Sequence, residues 1–432
     1  MLDDTLLDDP AALQRADHDH ALLALAGAGA RVRTALRLAD AAGVAALRPD
    51  GRPRGVLVAG HGSALAAAEI LAALAGTACL VTGLPPADAG PVAREDRRLR
   101  ATPSFAAGMT WQLPGWAGPI DLLVIASADG DERGLVTLAE QAYARGCSIV
   151  VIAPDGSSLA EAARQVRALP LPFVPSALPE REEPTAPEGR ESAGYRPAEP
   201  DLPAEDPGAL WAFLAPLLAL TEKTGITQLP PGSLPATADR LDESAVRCRP
   251  DAAAYTNPAK SLAARLSGTV PLLWAEGPLA GAVAGRFATQ LAERGGRPAL
   301  AGLLPQALLA HRGMFVGQFG GGADPDDFFR DRIDEPDPLL LQVLLLRHTP
   351  GRSLADPDAD GGADTDGPYE QPADDDSPRG VAVSRAHRLA AAHEVRLTEY
   401  ASGRTDPLHA LADLVALTDF AAVYLGLAAA GG

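Results

Sequence analysis

Apolar residues along this chain follow two different rhythms. Over residues 8–47 they recur every three or four positions behind Asp8, Asp9 and Pro10, which predicts a capped, alanine-rich helical preface. From residue 55 short β-branched runs closed by small residues alternate with helical periods. The pattern predicts strand 55–60, helix 63–75, strand 78–82, strand 121–127, helix 132–145, strand 147–153 and helix 157–167, with an ambiguous stretch at 85–113. Alternation of this kind gives a parallel sheet with helices on both faces, because each crossover brings the chain back to the same edge.

The second half repeats the plan after an interruption. Residues 176–207 carry Pro179, Pro184, Pro187, Pro197, Pro200, Pro203 and Pro207 among Glu, Arg and Ser, the composition of a linker or wrapping arm. A helix over 208–222 follows, Pro230 to Pro235 break it, and another helix starts at 237. Asn257 and Pro258 are a suitable N-cap and first residue for helix 257–267. Strand 270–275, the turn Glu276-Gly277-Pro278, helix 279–294, strands at 298–302, 339–346 and 394–399, and a long apolar helix over 406–428 complete the series. Residues 354–379 are too rich in Asp, Gly and Pro to bury an apolar face and are expected to form a disordered surface loop. The expected organisation is an α/β fold with two parallel sheets, each flanked by helices: an amino-terminal domain over 1–175, a linker and connecting helix over 176–240, and a carboxyl-terminal domain over 241–432.

Composition narrows the partners. A chain of 432 residues with 47% hydrophobic residues has core enough for two domains. Its formal charge of -19 opposes binding to nucleic acid or to an anionic membrane, both of which need basic surface. Cys79, Cys147 and Cys248 lie far apart without paired spacing, so neither a metal site nor a disulfide framework is expected, and a reducing cytoplasm fits. The start, Met1-Leu2-Asp3-Asp4-Thr5, is acidic where a signal peptide needs positive charge, and no apolar run is expected to reach the roughly 18 residues of a spanning helix. The only lysines are Lys223 and Lys260, the latter expected at a surface or interface; the arginine and alanine bias fits GC-rich coding.

Candidate chemistry lies in two turns. Val56 to Ala59 runs into Gly60-His61-Gly62-Ser63 and a helix, and Leu122 to Ala126 runs into Ser127-Ala128-Asp129-Gly130-Asp131-Glu132 and a helix. Both turns fall at the carboxyl ends of predicted parallel strands, where open α/β sheets bind ligands and helix starts favour anions. The first turn offers Gly60, Gly62 and Ser63, whereas the second offers carboxylates, which repel a phosphate.

These motifs resemble the first sugar isomerase (SIS) domain, supported by Arg145-Gly146-Cys147 leading into Ser148 to Ile152. Arg247-Cys248-Arg249-Pro250-Asp251, Asn257-Pro258-Ala259-Lys260, Arg286 to Glu293 and the closing helix ending Asp419 to Leu425 are similar to the carboxyl-terminal domain of the bifunctional phosphoglucose/phosphomannose isomerase family. The resemblance implies two SIS domains, a homodimer, no cofactor, and a site for a sugar or sugar phosphate. In the family a Gly-Gly-Ser-like turn and a Ser-x-Ser-Gly-x-Thr loop hold the phosphate. Gly60, Gly62 and Ser63 match the first with His61 intruding; Ser127 and Gly130 match the second, with Asp129 at the second serine and Glu132 near the threonine.

The catalytic pattern matches in part. Glu293 stands at the family's helix-end glutamate and is the candidate base. The family's histidine, given by the neighbouring subunit, follows Pro-Glu-Leu-x-His; here Leu304-Pro305-Gln306 is followed by Leu309, and His311 lies two residues late. No lysine follows Lys260 to match the family's tail lysine, and no arginine precedes Pro207-Gly208 where the family has one. The expectation is a sugar or sugar-phosphate binding protein with weak or lost aldose-ketose isomerase activity. The alternatives are an active glucose-6-phosphate/mannose-6-phosphate isomerase using Glu293 and His311, and a non-catalytic dimeric scaffold.

Overall fold

The computed structural model describes residues 4–49, 51–89, 105–176, 205–316, 340–350 and 378–430. They divide into two compact units, residues 19–242 and residues 1–18 with 243–432. Helix α1 (Pro10–Ala16), preceded by a single turn at Asp4–Leu7, therefore groups with the carboxyl-terminal half. It is capped as its sequence requires, the Asp9 carboxylate accepting the N–H groups of Ala11 and Ala12 at 3.0 Å each.

The unit of residues 19–242 runs α2 (Ala21–Ala26), α3 (Ala28–Ala41), β1 (Gly55–Ala59), α4 (Ser63–Ala75), β2 (Leu80–Leu84), β3 (Leu122–Ala126), α5 (Arg133–Ala144), β4 (Ser148–Ala153), α6 (Ser158–Gln165), β5 (Leu169–Pro172), α7 (Ala209–Lys223) and α8 (Ser233–Arg247), the division falling within α8. Its sheet has the order β2-β1-β3-β4-β5, parallel throughout. Every residue of β1 and β3 is buried, so these strands read as continuous apolar runs: helices cover both faces. Leu57, Leu123 and Ile125 meet Leu135 and Leu138 of α5 and Leu159 of α6 in one core layer, while α7 packs on α3 and α4.

Strand β5 has no sequence signal because Pro170 and Pro172 interrupt it. It pairs with β4, Val150 opposite Leu169 and Ala153 opposite Pro172, and an edge strand tolerates the missing N–H groups on its unpaired side. Of the 176–207 arm, residues 176 and 205–207 are described.

The other unit adds α9 (Pro258–Leu266), β6 (Thr269–Glu276), α10 (Pro278–Glu293), β7 (Leu300–Leu303), α11 (Gln306–Ala310), β8 (Leu340–His348), α12 (Pro378–Ala392), β9 (Arg396–Ser402) and α13 (Pro407–Ala430). Its sheet order is β9-β8-β6-β7, again parallel. The 354–379 segment lies outside the described residues except Pro378 and Arg379, which open the unexpected helix α12.

Two expectations need correction. Residues 407–429 of α13 are long and apolar enough, by length and composition, to cross a membrane, but they are mostly buried, and α13 packs on α9 and α10 as the core helix of this unit. Scattered polar positions such as Asp413 and Asp419 had hidden the run. Lys260 is fully buried rather than superficial: its ammonium donates to the carbonyls of Leu7 at 2.6 Å, Pro250 at 2.7 Å and Ala252 at 2.8 Å, above the Tyr424 ring. All three N–H bonds are used, which is what makes a buried cation tolerable.

The Arg286 guanidinium of α10 meets the Asp419 carboxylate of α13 through contacts of 2.8 to 3.1 Å, both side chains under 5% exposed. Removing one partner strands the other charge in the core. Arg286→Met is therefore expected to cost about 3–5 kcal/mol in urea denaturation, whereas pairing it with Asp419→Leu should recover much of that loss. A single substitution as stable as the parent would show that the pair is not desolvated.

Candidate functional site

An open parallel sheet binds ligands where its strand order reverses, because the loops leaving two neighbouring strands there turn to opposite faces and leave a crevice. In the order β2-β1-β3-β4-β5 that point lies between β1 and β3. The loops leaving those strands are Gly60 to Ser63 and Ser127 to Glu132, the two turns singled out above. Topology thus brings together all eight expected ligand-binding residues: Gly60, His61, Gly62, Ser63, Ser127, Asp129, Gly130 and Glu132.

The first turn is built by close approach. A Cβ on Gly60 would lie 2.5 Å from the Ala126 carbonyl, and the Gly60 carbonyl accepts the indole N–H of buried Trp111 at 3.3 Å. Gly62 has φ of 52°, which side chains rarely adopt, and leads directly into α4. There the N–H of Ser63 points at an anion, and the anion is the chain's own Glu205. Its carboxylate accepts from Ser63 N at 2.7 and 2.9 Å and from the Ser63 hydroxyl at 2.9 Å. A Cβ on Gly62 would fall 2.5 to 2.6 Å from that carboxylate.

The second turn is also closed on itself. The Ser127 hydroxyl accepts the N–H groups of Asp129 at 3.1 Å and Gly130 at 2.6 Å and donates to the Glu132 carboxylate, 2.6 to 2.8 Å away. Glu132 is 1% exposed at the start of α5, and His61 reaches across from the first turn to place Nε2 at 3.1 Å from it. Burial alone would raise the Glu132 pKa, but hydrogen bonds from His61 and Ser127 overcome it and hold the carboxyl below its ordinary value. The hydrogen bond to Glu132 holds the His61 pKa above its usual value, against burial and with help from the charges of Glu132, Glu205 and Asp129. The pair is therefore ionic, and the Asp129 carboxylate stays exposed beside it.

The two candidate catalytic residues lie in the other unit, and its topology separates them. Helix α10 leaves the carboxyl edge of the sheet at Gly277 and runs back against the strands for sixteen residues, which carries Glu293 about 24 Å toward the amino edge. Glu293 is 30% exposed there beside Arg294. His311 follows α11 and is 9% exposed; its Nδ1 accepts the Trp274 indole N–H at 3.0 Å, so a neutral ring carries its proton on Nε2. Burial depresses its pKa, which keeps it neutral. The polar groups gathered at this unit's own switch point, between β6 and β8, are different ones. Arg347 on β8 binds Glu276 at 2.5 Å and Glu399 at 2.7 Å, and Glu399 also lies 3.5 Å from His387. Among the described residues no group of three or more His, Cys, Asp or Glu side chains is placed to hold a metal ion.

Sequence reasoning missed Glu205, Trp111 and Arg347. Only Glu205 carried a signal: an acidic pair, Glu205-Asp206, ahead of a helix start, which reads equally well as capping.

Residues 255–317 match the family model of the bacterial phospho-glucose isomerase C-terminal SIS domain. No curated protein sequence matches the chain. Among solved structures, a hypothetical protein of Thermus thermophilus shares 14% identity, with 98% of this chain and 89% of that one covered and a TM-score of 0.55. A glucose-6-phosphate isomerase like protein of the same organism shares 16% identity over 91% of this chain and 88% of that one, with a TM-score of 0.42. A tagatose-6-phosphate ketose/aldose isomerase of Escherichia coli shares 11% over 97% and 95%, with a TM-score of 0.46. The first likeness concerns the fold alone, two parallel sheets each flanked by helices.

The His61 and Glu132 pair fixes a pH window. His61, with a raised folded pKa, contributes fully below its ordinary 6.5 and loses the contribution as pH rises through the folded value; Glu132, with a lowered one, contributes fully above 4.5 and loses it as pH falls further. The stability difference between the parent and His61→Gln in denaturant titrations should therefore be largest between pH 4.5 and 6.5 and shrink toward alkaline pH. A difference that grows above that window would show that His61 is neutral in the fold.

Proposed function

We propose that this SIS-domain, phosphoglucose isomerase-like protein binds a sugar or sugar derivative without a phosphate in the usual pose, and does not isomerise hexose phosphates. One observation carries the reading: the donors that would hold a phosphate at the β1–β3 switch point are engaged by the chain's own carboxylates, Glu205 on Ser63 and Glu132 on Ser127. A phosphate dianion would have to displace Glu205 and then sit beside Glu132 and Asp129, which repel it. The exposed Asp129 carboxylate can accept hydroxyl groups of an uncharged sugar instead.

Catalysis lacks support on the same grounds. Proton transfer between C1 and C2 needs a base and an electrophilic partner on one substrate, whereas His311, neutral and buried, has its Nδ1 taken by the Trp274 indole N–H. The filled turns also favour a second reading, a non-catalytic scaffold, distinguished by whether any sugar binds. Under both readings the protein acts as a homodimer in the cytoplasm; its three cysteines are buried free thiols, which suits a reducing compartment.

Purified protein in a coupled assay should show no conversion of glucose 6-phosphate or mannose 6-phosphate to fructose 6-phosphate. Turnover that disappears in Glu293→Gln would overturn the proposal and make Glu293 the base.

Calorimetry tests the filled site directly. Replacing Glu205 by Gln, Asp129 by Ser and Glu132 by Thr together should create affinity for glucose 6-phosphate, with a gain of about 1–3 kcal/mol over the parent. An unchanged heat of titration would mean that the two turns do not face a ligand. Thermal shifts with free hexoses separate sugar binding from the scaffold reading, since a ligand of the native state raises the melting temperature.

A further inference from the structure

The two turns at the β1–β3 crevice also build a dyad. Glu132 is buried, held by the Ser127 hydroxyl, and it binds one nitrogen of His61, Nε2, at 3.1 Å. The His61 side chain itself is 29% exposed, and among the described residues its Nδ1 makes no hydrogen bond and is not buried. A buried carboxylate that fixes one nitrogen of an imidazole and leaves the other open is the arrangement of an acid–base group, since the carboxylate sets both the orientation of the ring and its protonation.

The charge state of this ring suits a proton donor. The hydrogen bond to Glu132 holds its pKa above the ordinary value against burial, and the charges of Glu132, Glu205 and Asp129 add to it, so Nδ1 carries a proton near neutral pH. A base stands in the same crevice. Asp129 is exposed on the second turn, and its carboxylate is near enough for its charge to act on His61. Desolvation first, then the charge of Glu132, lifts the Asp129 carboxyl above its ordinary value, which strengthens it as a base.

We infer that this crevice opens and recloses the ring of an uncharged aldose, with His61 as general acid and Asp129 as general base, so that the protein interconverts the two anomers of a free sugar. The inference rests on the sugar-binding reading above and adds a reaction to it. His61 gives its Nδ1 proton to the ring oxygen as the bond from C1 to that oxygen breaks. Asp129 takes the proton of the C1 hydroxyl, and the electron pair of that O–H bond completes the carbonyl. Rotation about the C1–C2 bond and the reverse transfers close the ring on the other face and restore both side chains, with nothing oxidised or reduced. Ring opening takes no proton from carbon, so one acid and one base suffice for it. Going on to a ketose needs a carbon-bound proton removed and a cation for the enediolate, and the charge of His61 is already balanced by Glu132.

Polarimetry of the full chain with freshly dissolved α-D-glucose, α-D-galactose and α-D-mannose tests it, with buffer alone as the background. At least one sugar should mutarotate faster than the background, and His61→Gln and Asp129→Asn should each reduce the added rate by about 10²-fold or more. Asp129→Asn changes an exposed side chain, so it decides the matter even if His61→Gln does not fold. The added rate should fall as pH rises through the raised pKa of His61, above 6.5, and fall again as acid protonates Asp129, whereas hydroxide makes the background rise with pH. Thermal shifts with the same sugars separate the two claims. A sugar that raises the melting temperature without mutarotating faster overturns this inference and leaves the binding reading standing, while no shift and no added rate overturn both. An added rate that survives Asp129→Asn unchanged, or that keeps rising with alkali, overturns the inference as well.

Discussion

The start of helix α4 imposes the constraint around which this structure is organised. Its first N–H groups have no partner within the helix, and they emerge at the switch point of a sheet whose strands are buried. Such donors need an anion from somewhere, and this chain supplies Glu205. The neighbouring residue holds that carboxylate in position: Asp206 ties Ser176 to the first turn of α7 and stands beside Arg31. A tethered anion competes with any free one at an effective concentration of order millimolar, since its loss of freedom is shared with the fold. On the function proposed above, phosphate affinity falls accordingly, with the donors themselves unchanged.

The second turn reaches the same end by other means. A serine hydroxyl has one proton to donate, and the Ser127 proton goes to Glu132 while its lone pairs take two N–H groups from its own loop. His61 then neutralises Glu132 from across the crevice, and this is the physical role of the residue that interrupts the glycine turn. The carboxyl-terminal unit shows comparable self-sufficiency at its own switch point, where Arg347 binds Glu276 and Glu399. In both units charge meets charge at the mouth of the sheet.

Buried charge elsewhere serves the architecture. Arg286 with Asp419 joins α10 to α13, and Lys260 gathers three carbonyls that include one from the amino-terminal segment. The bond from Lys260 to Leu7 is one contact that groups the first residues of the chain with its last half.

The sequence by itself determined the alternation of strands and helices, both parallel sheets, and the two turns at the β1–β3 crevice, because periodicity and glycine positions are local consequences of backbone geometry. It also determined that the second turn is acidic, and a carboxylate remains a carboxylate in any fold. Strand β5 was illegible because its prolines are tolerated only at an edge, and edge position is a property of the sheet. Helix α13 concealed its apolar length behind Asp413 and Asp419, and Lys260 looked superficial until three carbonyls converged on it. Tertiary structure alone decided where Glu205 goes, 142 positions along the chain from Ser63, and that Trp274 takes the Nδ1 of His311. The physical reason is the same in each case: a hydrogen bond between distant residues depends on how the elements pack, and no local pattern of residue types records that packing.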